Sequence, residues 1–235
     1  MNVDALKMAK LISDADDIVF LTGAGASTAS GIPDYRSVEG LYTNSGLKTP
    51  EYLLSKSAML NDTADFHQFI KQLYNKNAAP NIIHEKMAML EKTKNITVIT
   101  QNIDGLHTQA GSKNVIEFHG TLTKCHCETC GSNVVALDFL NSYTHEHCGG
   151  ITRPNIVLYE ENINYNNIVK AYDALSVSKI IIIVGTTFQV HPFASLINYA
   201  QKNAKIFIIN REDITHVVAS AKFLGDAAEV FSLLV

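Results

Sequence analysis

Four stretches of the chain are almost continuously apolar: residues 18–21, 96–100 (ITVIT), 179–184 and 204–209. Unbroken hydrophobicity over so few residues suits strands buried on both faces, which belong to parallel sheets covered by helices. Each run stops at glycine or at polar side chains: Thr22-Gly23-Ala24-Gly25, Gln101-Asn102, Gly185-Thr186-Thr187 and Asn210-Arg211-Glu212. Between them lie helical patterns. Residues 81–92 follow Pro80 with Ile82, Ile83, Met87 and Leu90 at helical spacing, and residues 193–201 follow Pro192 with Leu196, Ile197 and Tyr199. Strand and helix alternate, so the pattern predicts an α/β domain with a doubly wound parallel sheet. Two stretches break the rhythm. Residues 39–76 are polar and helix-like without a strand signal, and residues 125–150 are rich in Cys, His and Gly; together they predict a smaller domain inserted into the larger one.

Composition narrows the class. Of 235 residues, 46% are hydrophobic and 18% charged, the range of a globular chain and not of a disordered one. With 19 Lys and Arg against 23 Asp and Glu the net charge is -4, so no basic excess exists to drive phosphate-backbone binding, and nucleic acid is not an expected partner. The longest aliphatic run, residues 180–184, falls far short of the roughly 20 apolar residues that cross a bilayer. The first 17 residues mix Lys and Asp with amphipathic spacing (Leu6, Met8, Leu11, Ile12) and lack the apolar stretch of a secretory signal, so a cytoplasmic location is expected. The 4 cysteines, Cys125, Cys127, Cys130 and Cys148, cluster in one patch rather than spreading through the chain, which favours a metal over a disulfide framework.

Five segments carry chemistry. GAGAS, residues 23–27, follows a strand and would bring backbone amides close to a phosphate, although a plain strand-to-helix turn would look the same. The dehydrogenase fingerprint G-x-G-x-x-G would need glycine where Thr28 stands, which disfavours hydride transfer. GIPDYRS, residues 31–37, would set the Tyr35 ring and the Arg36 cation beside an anionic ligand, unless it is only a surface loop. TQNIDGLHTQAG, residues 100–111, opens at a strand end, where open α/β sheets bind ligands, and Gln101, Asn102 and Asp104 can bond hydroxyls and amides. His119, in Phe118-His119-Gly120, titrates nearest neutrality and is a natural general base. Cys127-x-x-Cys130 is a zinc half-site, and Cys148, with His145 three residues before it, supplies a second half, three thiolates and an imidazole being an accepted structural set. Cys125, His126 and His147 lie close enough to compete as ligands.

In order and spacing, GAGAS with TASGIPDYR, TQNIDGLH, FHG, the cysteine patch, RPNIV, GTT and INRE resemble the sirtuin family over nearly the whole chain. The resemblance implies a Rossmann-like domain from residues 1–38, 77–120 and 152–235, and a small domain from a helical module, residues 39–76, and a zinc module, residues 121–151. It implies NAD as co-substrate, a structural zinc on Cys127, Cys130, His145 and Cys148, and acyl-lysine proteins as substrates. NAD and the peptide would enter the cleft from different sides, and the acyl group would pass to ADP-ribose with release of nicotinamide. Residue by residue, Gly23, Ala24, Gly25, Thr28, Tyr35 and Arg36 match positions along the dinucleotide. Gln101, Asn102, Ile103 and Asp104 match the nicotinamide and ribose pocket, with Asp104 on the carboxamide. His119 matches the base that helps a ribose hydroxyl attack, with Asn102 beside it. Gly185, Thr186, Thr187, Asn210, Arg211, Glu212, Asp226 and Ala227 match the adenosine side.

The chain departs from the family pattern in places. Where Phe-Gly-Glu is usual it has Leu158-Tyr159-Glu160-Glu161, in a segment (Val157, Tyr159, Glu160) expected to pair with the substrate backbone as an added strand. Tyr35 replaces a phenylalanine, and His145 a cysteine. The Tyr and Arg pair of members acting on acidic acyl groups is replaced by His67 and Ile70, so neutral acyl chains, acetyl first, are expected. Rival readings are an ADP-ribosyltransferase or NAD glycohydrolase on the same scaffold, and a non-catalytic NAD-responsive module, against which a positioned base argues. A monomer is expected.

Overall fold

The computed structural model describes residues 2–32, 48–74 and 77–235. Helix α1 (Val3–Ser13) is capped by the Asn2 side chain, which accepts from the Asp4 and Ala5 amides, and buries Ala5, Met8, Ala9 and Ile12 along one face. It leads into β1 (Asp17–Thr22), where every residue after Asp17 is buried, as a central strand requires. Three short helices follow beyond residue 48: α2 (Pro50–Leu53), α3 (Lys56–Asn61) and α4 (Thr63–Leu73). Then come α5 (Ile82–Leu90), β2 (Asn95–Thr100), α6 (Leu106–Gln109), β3 (Val115–Glu117) and β4 (Gly120–Cys127). The two-residue β5 (Asn133–Val134), α7 (Ala136–Asn141) and β6 (Thr152–Ile156) precede the return to the large sheet. Helix α8 (Tyr165–Val177), β7 (Ile180–Val184), β8 (Lys205–Asn210), β9 (Ala221–Leu224) and α9 (Ala227–Phe231) complete the chain.

The large sheet has the order β3-β2-β1-β7-β8-β9, and each of its strand pairs is parallel. Its apolar strands are covered on both faces. One face packs α1, α5 and α9 through Met8, Ile12, Met87 and Phe231; the other packs α8 and residues 193–199 through Leu175, Phe193 and Leu196. All four apolar runs are therefore strands of this sheet, within a residue or two of the expected bounds.

Two details differ from the sequence pattern. Residues 193–199 form a 3₁₀ helix, Phe193–Tyr199, because their apolar positions recur every three residues: Phe193 and Leu196 are buried and Tyr199 meets the Tyr172 ring of α8 at 5.3 Å. Strand β6, expected to open the return to the large domain, pairs instead with β4 in an antiparallel three-stranded sheet of order β5-β4-β6. That sheet and helices α3, α4 and α7 share a third core of Met59, Phe66, Ile70, Leu122, Phe139 and Ile156. The helical stretch and the cysteine-rich stretch are thus one packed unit.

Candidate active site

Strand β1 has β2 on one side and β7 on the other, so the loops leaving β1 and β7 diverge and open a crevice at the carboxyl ends of the strands. A groove of about 860 Å³ runs along it. The loop after β1 contributes Gly23, Ala24, Gly25 and Thr28; the end of β7 contributes Gly185, Thr186 and Thr187. Asn210, Arg211 and Glu212 follow from β8, and Asp226 and Ala227 close the far end at α9. The glycines serve packing here as much as ligand approach: a Cβ on Gly25 would lie 2.7 Å from the Gly185 Cα, and one on Gly23 would lie 2.6 Å from the Thr186 Cβ. At the far end Asp226 caps α9 through the Ala228 amide (2.9 Å) and pairs with Arg211 (2.9 Å), and these two bonds, the amide foremost, hold its carboxyl below the usual range.

A second pocket of about 400 Å³ opens toward the smaller unit and is walled by Leu54, Leu73, Leu122, Ile156 and Leu158, with Ile103 and Asp104 at its base. The groove and this pocket share Ala24, Ile32, Gln101, His119 and Val190. His119 therefore stands where the two cavities meet. Its Nδ1 lies 3.2 Å from the Gln101 carbonyl; a carbonyl only accepts, so Nδ1 carries the proton and Nε2 keeps a free lone pair. Burial lowers its pKa, against the opposing pull of the Gln101 hydrogen bond, and keeps the ring neutral near pH 7.

Beneath His119 lies a closed hydrogen-bond network. The Asn81 amide donates to His84 Nδ1 (3.2 Å), which leaves His84 Nε2–H to donate to Ser27 Oγ at 3.3 Å. Asn102 Nδ2 donates to the same oxygen (3.0 Å) and to the Gly23 carbonyl (3.1 Å). The Ser27 hydroxyl donates in turn to Asp104 Oδ2 (2.7 Å), while Asp104 Oδ1 accepts the Leu106 amide (2.9 Å). Ser27 thus spends both lone pairs and its proton, and fixes Asn102 and Asp104 at once. The His84 ring meets His107 edge-on at 4.6 Å. Burial lowers their pKa values to about 4 and about 3, so both are neutral. Gln101 is locked from the other side by its amide donating to Thr186 Oγ1 (2.9 Å).

The segment after β6 differs from the expected added strand. Val157 donates to the His119 carbonyl (2.8 Å), but both backbone groups of Tyr159 are taken inside the chain: its N–H donates to the Leu54 carbonyl (2.9 Å) and its carbonyl accepts from Lys56 (3.1 Å). Tyr159 and Glu160 still line the pocket mouth. Glu161 forms a two-point pair with Arg153 (2.6 and 2.9 Å), and Arg153, only 4% exposed, also reaches Glu128 at 3.2 Å. Burial alone would raise the Glu161 carboxyl; Arg153 and the Leu158 amide outweigh it and hold it below the usual range. His67 bonds the Phe139 carbonyl (2.6 Å) and Ile70 is 1% exposed, so both belong to the small core and neither faces the pocket.

Cys127, Cys130, His145 and Cys148 converge, their ligand atoms all within 4.8 Å of one another. His145 Nδ1 stands 3.3 Å from the Cys130 sulfur and 3.1 Å from that of Cys148, with Cys127 and Cys148 at 3.5 Å. Such spacings suit a tetrahedral zinc set of three thiolates and an imidazole. Of the competing residues, Cys125 is buried against the small core, its thiol pushed up to about 11 by burial, and His126 turns to Asn155 and Glu128. Tyr35 and Arg36 lie outside the described residues. Sequence reasoning missed Ser27 as a hub, His84 on its helix face, and the leucines of the apolar pocket; none carries a local signal, because each acts through partners distant in sequence.

A sequence model described as the Sir2 family matches residues 23–192. The chain is 47% identical over 226 residues to an NAD-dependent protein deacetylase of Listeria monocytogenes, covering 96% of this chain and 98% of that protein. It is 52% identical over 194 residues to an NAD-dependent protein deacetylase of Enterococcus faecalis, covering 83% and 81%. Among solved structures it resembles a Sir2 homolog in complex with NAD, with a TM-score of 0.87, 32% identity and coverage of 98% and 92%. It also resembles Sir2 with a deacetylated p53 peptide and 3′-O-acetyl ADP ribose, with a TM-score of 0.86, 30% identity and coverage of 98% and 96%. With its fold order, site geometry and sequence in agreement, the chain belongs to the Sir2, or sirtuin, family.

Proposed function

We propose that the chain is an NAD-dependent protein-lysine deacylase, acting first on acetyl groups. The observation that carries this is the junction at His119, where a polar groove along the strand ends meets an apolar pocket open to the smaller unit. NAD fits the groove on the chemistry of its lining: polar and backbone groups run from Gly23 to Ala227, and Asn102 and Asp104, which line the adjoining pocket next to the shared Gln101, are held in fixed orientations. When bound, NAD supplies the ADP-ribosyl group that takes the acyl chain and the nicotinamide that leaves.

The chain's own residues divide the work. Asp104 has lone pairs left on both oxygens and can accept a carboxamide N–H, and the Asn102 amide oxygen, its nitrogen being occupied, can accept from a ribose hydroxyl or a water. His119 Nε2 removes a proton from a ribose hydroxyl, in a buried setting that keeps it unprotonated. Leu54, Leu122, Ile156 and Leu158 exclude water from the acyl chain. The described lining of that pocket holds Asp104, Glu160 and Glu161 but no Lys or Arg, which supports neutral acyl groups over acidic ones. A zinc ion on Cys127, Cys130, His145 and Cys148 would hold the small sheet together and takes no part in the chemistry. Among the described residues no helix is long and apolar enough to cross a membrane; a cytoplasmic monomer, with no nucleic-acid partner, completes the proposal.

The test is mass spectrometry of the chain with NAD and an acetyl-lysine peptide, beside the His119→Ala variant. Loss of the acetyl mark with O-acetyl-ADP-ribose appearing, in the wild type alone, supports the proposal. Nicotinamide release with an untouched peptide would replace it by a glycohydrolase or transferase.

A further inference from the structure

Residues 158–161 form a turn closed by the Glu161 amide on the Leu158 carbonyl (3.0 Å), and its third residue, Glu160, sits at φ 74. Turns with a left-handed third residue favour glycine, so a glutamate there persists only where its surroundings hold it. Its side chain supplies the hold. Glu160 Oε2 accepts from the Ser57 amide (3.0 Å) and from the Ser57 hydroxyl (2.7 Å). The first three amides of α3 have no partner within the helix. Lys56 donates to the Tyr159 carbonyl, Ser57 to Glu160 and Ala58 to Ser55 Oγ, so the turn provides two of the three caps. Tyr159 donates back to the Leu54 carbonyl, and Leu54 and Leu158 both line the apolar pocket.

We propose that Glu160 is a positioning residue for deacylation: its carboxylate latches the turn to the start of α3 and so sets the width of the acyl-lysine pocket. The latch concerns the peptide and not the dinucleotide, because its atoms lie on the pocket side of His119 and line no part of the groove. It rests on the deacylase reading. Glycine suits the backbone at this position, so Glu160→Gly removes the latch while keeping the turn. Gln retains an oxygen that accepts both Ser57 bonds, so Glu160→Gln removes only the charge.

The experiment measures steady-state kinetics at saturating NAD with a varied acetyl-lysine peptide of uncharged flanks, for the wild type, Glu160→Gly, Glu160→Gln and Ser57→Ala. Hydrogen exchange of the α3 amides is followed in the same proteins. The latch predicts a peptide KM raised about tenfold in Glu160→Gly, the scale of losing two ordinary hydrogen bonds together, and by a smaller factor in Ser57→Ala, which keeps the amide bond. It predicts kcat and the KM for NAD within about twofold, near-wild-type behaviour for Glu160→Gln, and faster exchange at Lys56 and Ser57 in Glu160→Gly alone. An unchanged peptide KM in Glu160→Gly with a working wild type overturns the latch. A rise in Glu160→Gln equal to that in Glu160→Gly overturns it in favour of the charge itself. A wild type that turns over no acetyl peptide overturns the deacylase reading and the KM role with it, whatever the exchange data.

Discussion

His119 accepts a proton only at the ring nitrogen that Gln101 leaves free. Replacing it with Ala is expected to lower kcat by about 10²- to 10⁴-fold, the usual worth of a positioned base, while NAD binding measured by calorimetry stays within a few-fold. Because burial lowers its pKa, the ring is neutral at pH 7 and charges only as pH falls. The acid limb of kcat/KM should therefore have its midpoint below the ordinary histidine value of about 6.5, and a midpoint above that value would contradict the assignment. Ser27 is the second residue whose loss should show. Ser27→Ala strips partners from His84, Asn102 and Asp104 together, so unfolding by urea should reveal a loss of about 1–3 kcal/mol alongside a fall in turnover. The two residues differed in legibility. His119 and the run from Gln101 to Asp104 announce themselves because their chemistry is local. Ser27 could not, since His84 lies 57 positions away and Asp104 77 away.

Elements read more clearly than contacts. The four apolar runs became strands of the large sheet because burial on both faces leaves only one composition for them. Strand β6 went unread: its TRPNI carries Arg and Pro, and only pairing with β4 makes it a strand. Helices α5 and α6 bring His84 and His107 into contact, with a stability consequence. Both have folded-state pKa values depressed by burial, to about 4 and about 3, so the unfolded chain takes up protons first as pH falls below about 6.5. Stability is full above that value and is lost on acidification, at about 1.4 kcal/mol per pH unit for each ring, down toward the folded values. Urea midpoints between pH 7 and 5 should fall accordingly, and His107→Gln should flatten the slope. In the small sheet, chelation should unfold β5 and its neighbours ahead of the large sheet, since a structural zinc contributes on the order of 10 kcal/mol to such modules. Hydrogen exchange before and after chelator reads this directly, and the large-sheet amides should remain protected.

Across the whole molecule, the large sheet supplies the groove, the smaller unit supplies most walls of the apolar pocket, and His119 belongs to both. Substrate charge is felt at this scale. With carboxylates but no Lys or Arg among the described lining residues, a succinyl peptide should be turned over with a kcat/KM at least about tenfold below that of its acetyl counterpart, the cost of like charges at close range. Competition between the two peptides in one reaction checks it. The buried Arg153 joins Glu128, between two of the clustered cysteines, to Glu161, in the turn at the pocket mouth. One side chain thereby couples the outer end of the small unit to the place where the acyl-lysine enters. A molecule stripped of metal should consequently fail in sequence: blind to its protein targets first, still able to hold the dinucleotide, and unfolded only later.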